Sequence, residues 1–168
     1  MPGKIMSKIR VKSATKRDVP QIIQLIREFA EYEKLLEFCE ATEEKLRAAM
    51  FGERPCVEGL VAFDAENKGI GYALFYENFA SFRGQRGVYL EDLYVVPEMR
   101  KAGVGLALMK YLAKLAKERG CERMDWQVLT WNEPAIRFYE LLGAEIDESE
   151  RHWKLTGVDF ERLANVDG

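Results

Sequence analysis

Polar and apolar residues alternate at the start of the chain and then change to helical spacing. Residues 8–14 alternate and predict a half-buried strand. Asp18 is suited to cap a following helix, and Pro20 fits the first turn of that helix. The apolar residues at helical spacing are Ile22, Ile23, Ile26, Phe29 and Ala30. A second helix is predicted to begin at Thr42, because the two glutamates after it suit the positive end of a helix dipole.

Three strands are predicted in the middle of the chain. Residues 58–64 and 69–77 are rich in strand-forming side chains, and a polar turn at 66–69 joins them. This pattern predicts a hairpin. Residues 88–96 are rich in β-branched and aromatic side chains and are followed by Pro97, which predicts a third strand that ends there.

A long amphipathic helix is predicted after this strand. Residues 104–119 carry apolar side chains on one face and lysines on the other, and Gly120 can end the helix. The apolar positions are Leu108, Tyr111, Leu112 and Leu115. Residues 123–129 then predict a strand, 132–143 a short helix, and 152–155 a last strand.

The order of these elements predicts the fold class. Strands and helices alternate as β-α-α-β-β-β-α-β-α-β, with no linker, repeat or low-complexity segment between them. We therefore expect residues 1–168 to form a single α/β domain. Its sheet should be single, mixed and mostly antiparallel, with flanking helices.

Composition and charge narrow the possible partners. The chain has 168 residues, of which 48% are hydrophobic and 32% charged, and its net charge is -3 at pH 7. A chain of this length can bury a core without disulfides or a metal. The charge balance argues against a general nucleic-acid partner. The longest apolar stretch, Ile70–Tyr76, is too short for a membrane span, so a cytoplasmic protein is predicted.

Cysteine and histidine usage excludes several kinds of site. Cys39, Cys56 and Cys121 are odd in number and widely separated, which supports neither a disulfide framework nor a metal or redox motif. They are expected to be buried thiols. Because His152 is the single histidine, a site that needs two imidazoles is excluded, and no metal ligand is predicted.

A glycine-containing loop, Arg100–Gly105, separates the predicted strand at 88–96 from the long helix. Its glycines let the backbone approach a ligand closely, and the helix start offers free N–H groups to an anion such as a phosphate. The P-loop pattern is absent, and a dinucleotide motif would need Gly or Ala where Leu108 stands. The alternative is a tight turn without a ligand.

The pattern Arg-x-x-Gly-x-Gly after an apolar strand resembles the acetyl-CoA signature of the Gcn5-related N-acetyltransferase (GNAT) superfamily. Three further segments resemble the diamine (spermidine/spermine) and thialysine acetyltransferases of that superfamily. They are Tyr89–Val95, Trp131–Tyr139 and Phe29–Leu35. The likeness is dense from 88 to 143 and looser from 9 to 155.

The resemblance implies acetyl-CoA as a co-substrate that is bound mainly by backbone atoms. Pantetheine would be bonded by the strand at Leu93, Tyr94 and Val95. The pyrophosphate would be wrapped by Arg100, Lys101, Ala102, Gly103, Val104, Gly105 and Leu106. A strand that parts from its neighbour leaves N–H groups unpaired, and one of them can bind the oxyanion of the reaction. Asn132 either contacts the cofactor or caps its helix.

Tyr139 is the general acid that the resemblance implies. It follows Asn132 by seven residues, which is two helical turns, so both project from one side of the helix. A phenol with a pKa near ~10 stays protonated at neutral pH and can protonate the departing CoA thiolate. The alternative is a core tyrosine that packs beside Phe138.

Glu91 and Asp92 are adjacent, so strand alternation sends them to opposite faces and they cannot share one proton. The resemblance places Glu91 in the acceptor site, where it would receive the amine proton through water or hold the ammonium. Asp92 is either an acceptor-site residue or a structural acceptor for backbone N–H groups.

An acidic segment between Glu28 and Glu44 holds seven glutamates and one lysine. It is either a solvated helix face or a surface that attracts a cationic substrate. The resemblance assigns Tyr32 and Glu33 within it to the acceptor site, and Trp126 to the same channel unless it is a core residue.

Two segments depart from the polyamine enzymes that this chain resembles. The loop at 81–87 carries Arg83 and Arg86 where such enzymes are acidic, and Arg151 stands where they have a glutamate. These changes disfavour spermidine and spermine and favour a smaller or zwitterionic amine, such as a thialysine-like amino acid.

We therefore expect an enzyme in which a primary amine attacks the thioester directly, without a covalent enzyme intermediate. The alternatives are a noncatalytic acyl-CoA-binding regulatory module and a protein-lysine acetyltransferase. The resemblance also implies a homodimer, formed through the predicted strand at 152–155.

Overall fold

Five strands and five α-helices lie within residues 8–166, which are the residues that the computed structural model describes. The ends of the predicted 1–168 domain, residues 1–7 and 167–168, lie outside them. The strands are β1 (Arg10–Ser13), β2 (Glu58–Phe63), β3 (Gly69–Ala80), β4 (Gln85–Val95) and β5 (Arg123–Trp126). The helices are α1 (Val19–Tyr32), α2 (Glu43–Phe51), α3 (Val104–Glu118), α4 (Glu133–Leu141) and α5 (Gly157–Ala164).

The strands form one sheet in the order β1-β2-β3-β4-β5. Every neighbouring pair is antiparallel except β4 and β5, which are parallel and are connected through α3. This arrangement confirms the predicted mixed, mostly antiparallel sheet with flanking helices. The largest fully buried side chains include Tyr72, Phe75, Ile22, Leu25, Leu60, Ile70, Leu108 and Leu112. They come from β2, β3, α1 and α3, so the core lies between the central strands and these two helices.

Helices α1 and α3 pack on opposite faces of the sheet. Tyr72 of β3 lies opposite Tyr94 of β4, and the Tyr94 ring stacks on Phe29 of α1 with centroids 5.3 Å apart. Side chains alternate along a strand, so Gly71 points to the other face. A Cβ atom built there would lie 3.2 Å from Val104 of α3. Gly71 therefore lets α3 begin close against the sheet, beside the end of β4.

Strand β4 carries a β-bulge at Glu91. Two consecutive residues of β3 pair with Asp92 and with Leu90, so Glu91 is the extra residue. The pairing of β4 with β5 also ends at Leu90. Between Glu91 and Val95, one edge of β4 therefore has no strand partner among the described residues.

Several element boundaries differ from the predictions. Asp18 sits at the start of α1 but does not cap it, because its carboxylate accepts hydrogen bonds from Thr15 and Lys12 instead. Strand β5 ends at Trp126 rather than residue 129. The predicted strand at 152–155 is wrong: those residues are irregular, and α5 follows them.

The chain divides into two compact units after Gln127. The first holds β1 to β5 and α1 to α3, and the second holds α4 and α5. Within residues 8–166, no helix has both the length and the apolar character needed to cross a membrane.

Candidate functional site

The open edge of β4 is the centre of the candidate site in the first unit. Leu93 and Val95 are half-buried, and Tyr94 is buried between Phe29 and Tyr72. These packed side chains fix the strand, so its free backbone groups are held in place without their own strand partner. An extended ligand with amide groups, such as pantetheine, can pair with this edge as an added strand would.

The loop after β4 has the backbone of an anion site. Lys101 and Gly103 both take left-handed conformations, with φ of 64° and 87°. Gly103 immediately precedes α3, whose first turn contains no acidic residue. The first N–H groups of a helix have no acceptor within the helix, and its dipole favours negative charge there. A Cβ built at Gly103 would meet no atom within 4 Å, so there is space above the loop.

These features fit the pyrophosphate of acetyl-CoA. The residues that would hold it are Arg100, Lys101, Ala102, Gly103, Val104, Gly105 and Leu106. Arg100 and Lys101 add positive charge to the backbone N–H groups. The loop and the β4 edge are consecutive in the chain, so one ligand can extend from the loop along the strand.

Asp92 is a half-buried residue on the α1 face of the sheet. Its Oδ2 accepts a hydrogen bond of 2.9 Å from the hydroxyl of Tyr72, which is fully buried. Burial raises the pKa of Asp92 to about 6, although the Tyr72 hydrogen bond acts in the opposite direction, and the charge of Glu91 raises it further. The recorded partner of Asp92 is thus a side-chain hydroxyl, not the backbone N–H groups that one alternative expected.

Two further carboxylates, those of Glu33 and Glu91, interact electrostatically with Asp92. Burial raises the pKa of Glu33, and the charge of Asp92 raises it further, so these two side chains share one electrostatic environment. Glu91 is exposed on the bulge and contributes to the raised pKa values of Asp92 and Tyr89. The structure therefore brings Glu33, Glu91 and Asp92 together around the end of α1 and the β4 bulge. Such a group can bind an ammonium ion.

Arg100 joins the loop to the end of α1. Its Nε donates a hydrogen bond of 3.1 Å to the backbone oxygen of Val95, and its guanidinium carbon lies 4.3 Å from the centroid of the Tyr32 ring. The ring of Tyr94 is 5.7 Å away. Tyr32 is thus in contact with the first residue of the loop, in addition to its predicted place beside Glu33.

Trp126 is half-buried at the end of β5, in register with Leu90 just before the bulge. It is not a fully buried core residue. The predicted channel position remains a prediction.

Asn132 and Tyr139 belong to the second unit. Asn132 is buried and caps α4, because its Oδ1 accepts a hydrogen bond of 3.4 Å from the N–H of Ala135. Tyr139 is half-buried, and its ring meets Phe138 edge-on with centroids 5.2 Å apart. The capping interpretation of Asn132 is confirmed, and the proposed roles at the cofactor stay predictions.

The arginines expected near the acceptor lie in different surroundings. Arg86 pairs with Glu77, and Glu77 also accepts a hydrogen bond from Arg119, which follows α3. This network is on the α3 side, whereas Asp92 is on the α1 side, so Arg86 does not face the acceptor carboxylates. Arg83 is exposed in the turn between β3 and β4, and Arg151 is exposed in an irregular segment of the second unit.

Tyr72 and the stacking role of Arg100 were missed by sequence reasoning. A tyrosine in an apolar strand gives no signal of its own, because its partner depends on strand register and on the bulge at Glu91.

Within residues 8–166 no group of three potential metal-ligating His, Cys, Asp or Glu side chains is present.

A mixed sheet with an open strand edge, followed by an anion-binding loop at a helix start, defines an enzyme that holds a phosphate-bearing thioester beside its acceptor. The model of the acetyltransferase (GNAT) family matches residues 20–144. The chain therefore belongs to the GNAT family, and it is an N-acetyltransferase.

Individual relatives agree with the sequence resemblance. A thialysine N-epsilon-acetyltransferase of Mus musculus is 40% identical over 170 residues, covering 97% of this chain and 99% of its own length. A spermidine/spermine N(1)-acetyltransferase-like protein of Homo sapiens is 30% identical over 167 residues, covering 96% of this chain and 24% of its own. The solved structure of an integron cassette protein from V. cholerae superposes with a TM-score of 0.80 at 26% identity, over 94% of this chain and 98% of that one.

Proposed function

We propose that this protein transfers the acetyl group of acetyl-CoA to a primary amine of a small molecule, with a thialysine-like amino acid preferred over long polyamines. The observation that carries the proposal is the continuous run of β4. It places the Glu91 bulge, an open strand edge and the Arg100–Gly105 loop in one stretch of the chain. The proposed binding site for acetyl-CoA and the proposed binding site for the amine therefore both include residues of β4.

Acetyl-CoA supplies the activated acetyl group when it is bound. The backbone of Leu93, Tyr94 and Val95 bonds pantetheine, and the loop and α3 hold the pyrophosphate. An unpaired N–H group of the β4 edge would supply the fixed donor that stabilises the oxyanion formed when the thioester carbonyl is attacked.

The acidic group at Glu33, Glu91 and Asp92 receives the amine. An alkylammonium with a pKa near ~10.4 costs roughly 4 kcal/mol to deprotonate at neutral pH, so the site needs a proton acceptor. Glu91, exposed on the bulge, accepts this proton through water. Asp92 is protonated in part near its pKa of about 6 and ionised at higher pH, where its charge holds the ammonium.

Tyr139 acts as general acid and protonates the CoA thiolate as it leaves. A phenol with the ordinary tyrosine pKa near ~10 is protonated at neutral pH and can give its proton to the leaving thiolate. The amine attacks the thioester carbonyl, the tetrahedral intermediate collapses, and the C–S bond breaks. The proton removed from the ammonium before attack leaves through Glu91, and the second proton, lost from nitrogen as the intermediate collapses, restores the phenol of Tyr139. No enzyme-bound acetyl group forms.

Acceptor preference follows from the charges around the acidic group. Three carboxylates suit one ammonium, and the sequence resemblance implies positive charge at Arg83 and Arg151 where polyamine enzymes are acidic, which disfavours a polycation. The same arginines can pair with the carboxylate of an amino acid. Similarity to the thialysine enzyme over nearly the whole chain supports the same choice.

The test is kcat/KM for thialysine and for spermine at matched ionic strength, with release of the CoA thiol as the signal. We expect thialysine to be preferred. A tenfold preference for spermine would contradict the acceptor assignment and leave the acetyltransferase assignment intact. No release with any small amine, but release with lysine-containing peptides, would favour a protein-lysine acetyltransferase. Binding of acetyl-CoA without turnover of any acceptor would favour a regulatory module.

The enzyme further acts as a homodimer. Large apolar side chains are exposed in the second unit, among them Trp153, Val158 and Leu163. A second copy of the chain is the partner that covers them. Its cytoplasmic location and the absence of a nucleic-acid partner stay predictions from the sequence.

A further inference from the structure

Arg100 is held at three points before any ligand is bound. Its backbone N–H donates a hydrogen bond of 3.2 Å to the oxygen of Pro97, its Nε donates to the oxygen of Val95, and its guanidinium carbon lies 4.3 Å from the centroid of the Tyr32 ring. The next residue, Lys101, is in the left-handed region that a lysine rarely adopts. The position of Arg100 therefore determines where this strained loop begins.

Tyr32 is itself held by the core. It is the last residue of α1, and one turn earlier Phe29 stacks on Tyr94 of β4. The end of α1 is thus fixed to the end of β4. A guanidinium near the Tyr32 ring is consequently attracted to a stationary partner, which is the condition under which a cation–π contact orders a side chain.

We propose that Tyr32 is a positioning residue for the cofactor loop: its ring holds Arg100, and through Arg100 it keeps the 100–103 loop in the shape that binds phosphate. Tyr32 is followed by Glu33 of the acceptor group, so the same residue connects the two binding regions. The inference rests on the proposed role of the loop in holding acetyl-CoA.

A prearranged loop binds more tightly than one that must be ordered at the moment of binding. Removing the ring leaves Arg100 free to sample other rotamers, and the left-handed Lys101 then relaxes more readily. The contact strength typical of a cation–π pair corresponds to a change in Kd of about three- to tenfold. The alternative is that Arg100 is held away from the phosphate by Tyr32, and it predicts a change in Kd of the opposite sign. If Arg100 must leave Tyr32 to reach the phosphate, loss of the ring would tighten CoA binding.

A second consequence is coupling between the two substrates. An amine that binds beside Glu33 restrains the end of α1, and so it restrains Tyr32. Thermodynamic linkage requires that acetyl-CoA and the amine then strengthen each other's binding by the same factor. Without the ring, the factor should approach one.

The experiment compares the wild type with Tyr32→Leu, Tyr32→Phe and a control, Phe38→Leu. Phe38 is an exposed aromatic residue of the same acidic segment, 69% accessible, and takes no part in the site. CoA affinity is measured by isothermal titration calorimetry, first without and then with thialysine. We expect Tyr32→Leu to raise the Kd for CoA three- to tenfold and to abolish the effect of thialysine on that Kd. Tyr32→Phe keeps the ring and should bind CoA within about twofold of the wild type, as should Phe38→Leu.

The double variant Tyr32→Leu, Arg100→Gln separates this role from a general loss of structure. If Tyr32 acts through Arg100, the double variant should bind CoA no more weakly than Arg100→Gln alone. Additive losses, unchanged affinity in Tyr32→Leu or tighter binding in Tyr32→Leu would each overturn the inference. If the wild type itself fails to bind CoA, it is the proposed function that fails.

Discussion

Asp92 has the most strongly perturbed carboxyl pKa among the residues of the candidate site, and the cause is local. Asp92 is half-buried beside Tyr72, and the carboxylates of Glu33 and Glu91 lie nearby. The Tyr72 hydroxyl can donate to Asp92 whether or not the carboxyl group is ionised. The native state therefore accommodates both forms, but it favours the neutral one more than the unfolded state does.

This pKa makes a prediction about stability and pH. An unfolded Asp92 loses its proton near pH 3.8, whereas the folded one keeps it to about pH 6. The unfolded state binds fewer protons in that interval, so the contribution of Asp92 to the free energy of unfolding is present below about pH 4 and is lost as the pH rises through 6. The loss is up to about 3 kcal/mol. Asp92→Asn should remove it, because an amide does not titrate.

Urea unfolding of the wild type and Asp92→Asn at pH 4 and pH 8 measures the difference. Between pH 4 and pH 8, the free energy of unfolding of the wild type should fall by more than that of Asp92→Asn. Asp159→Asn, at an exposed position of α5, is the control and should follow the wild type. Identical pH dependence in wild type and Asp92→Asn would show that Asp92 titrates normally.

Tyr139 makes a prediction about the chemical step. Tyr139→Phe keeps the edge-on ring contact with Phe138 and removes only the acidic proton. We expect kcat to fall by roughly 10²- to 10⁴-fold, the range found for a positioned general acid, while CoA affinity is unchanged. Pre-steady-state and steady-state rates with CoA-thiol detection measure this. If kcat stays within about twofold while chemistry limits the rate, Tyr139 is a packing residue.

Residue types could be chosen from the sequence, but their contacts could not. The acidic character of Glu33, Glu91 and Asp92 was visible, but the expectation that alternation places Glu91 and Asp92 on opposite faces did not allow for the bulge at Glu91. The bulge that fixes their positions leaves no compositional signal, and so the Tyr72 hydrogen bond was not predicted. Arg86 was assigned to the acceptor side because its pairing with Glu77 depends on strand register.

At the scale of elements, helix α3 determines where the anion site can be. It starts close to the sheet because Gly71 has no side chain, and Gly103 turns the chain into it with φ of 87°. The helix ends in a similar way, since Gly120 has φ of 77°. Both glycines are open, with no atom within 4 Å of a built Cβ. Both ends of α3 thus need a residue with a left-handed backbone conformation, but only Gly103 belongs to the proposed phosphate-binding loop.

This symmetry provides a matched pair of variants. Gly103→Ala and Gly120→Ala each force a side chain into the left-handed region, and each should destabilise the fold by about 1–2 kcal/mol. Only Gly103→Ala should also weaken CoA binding, because it displaces the loop and the first N–H groups of α3. Chemical unfolding and calorimetric titration test the two effects separately. Equal CoA affinity in the two variants would exclude the loop as the phosphate site.

Elements with a clear period were predicted well, and those without one were not. The runs of strand-forming residues in β2 and β3, which are buried on both faces, and the helical spacing of α3 are direct consequences of burial. Residues 152–155 are too few to distinguish alternation from chance. The sequence of α5 has good helix formers after Thr156, but its apolar residues are exposed rather than packed in the described chain.

At the scale of the molecule, long-range ion pairs tie the first unit together. Arg119, which follows α3, donates to Glu58 of β2 at 2.6 Å and to Glu77 of β3 at 3.3 Å. These bonds fix the end of α3 that lies away from the loop, and they raise the pKa of Arg119. The helix is thereby held at both ends, by the Gly71 contact at one and by the arginine at the other. A rigid α3 keeps the anion site in place.

The second unit has few buried residues and many exposed apolar side chains. Neither α4 nor α5 contains a fully buried residue, and Trp153 is 86% accessible although tryptophan is usually covered. Val158 and Leu163 of α5 are also exposed. Apolar side chains grouped on the surface of one small unit favour association with a partner. A second copy is always available, and twofold contacts are the commonest in soluble oligomers.

We therefore expect a homodimer that depends on this unit. Light scattering after size exclusion should give twice the 19.4 kDa chain mass at micromolar concentration. Leu163→Glu places a charge on the exposed apolar surface of α5 and should shift the protein to the monomer. Leu36→Glu, at an exposed position in the first unit, is the control and should leave the mass unchanged. A wild-type monomer across this concentration range would refute the dimer, whereas a dimer in both variants would place the interface outside α5.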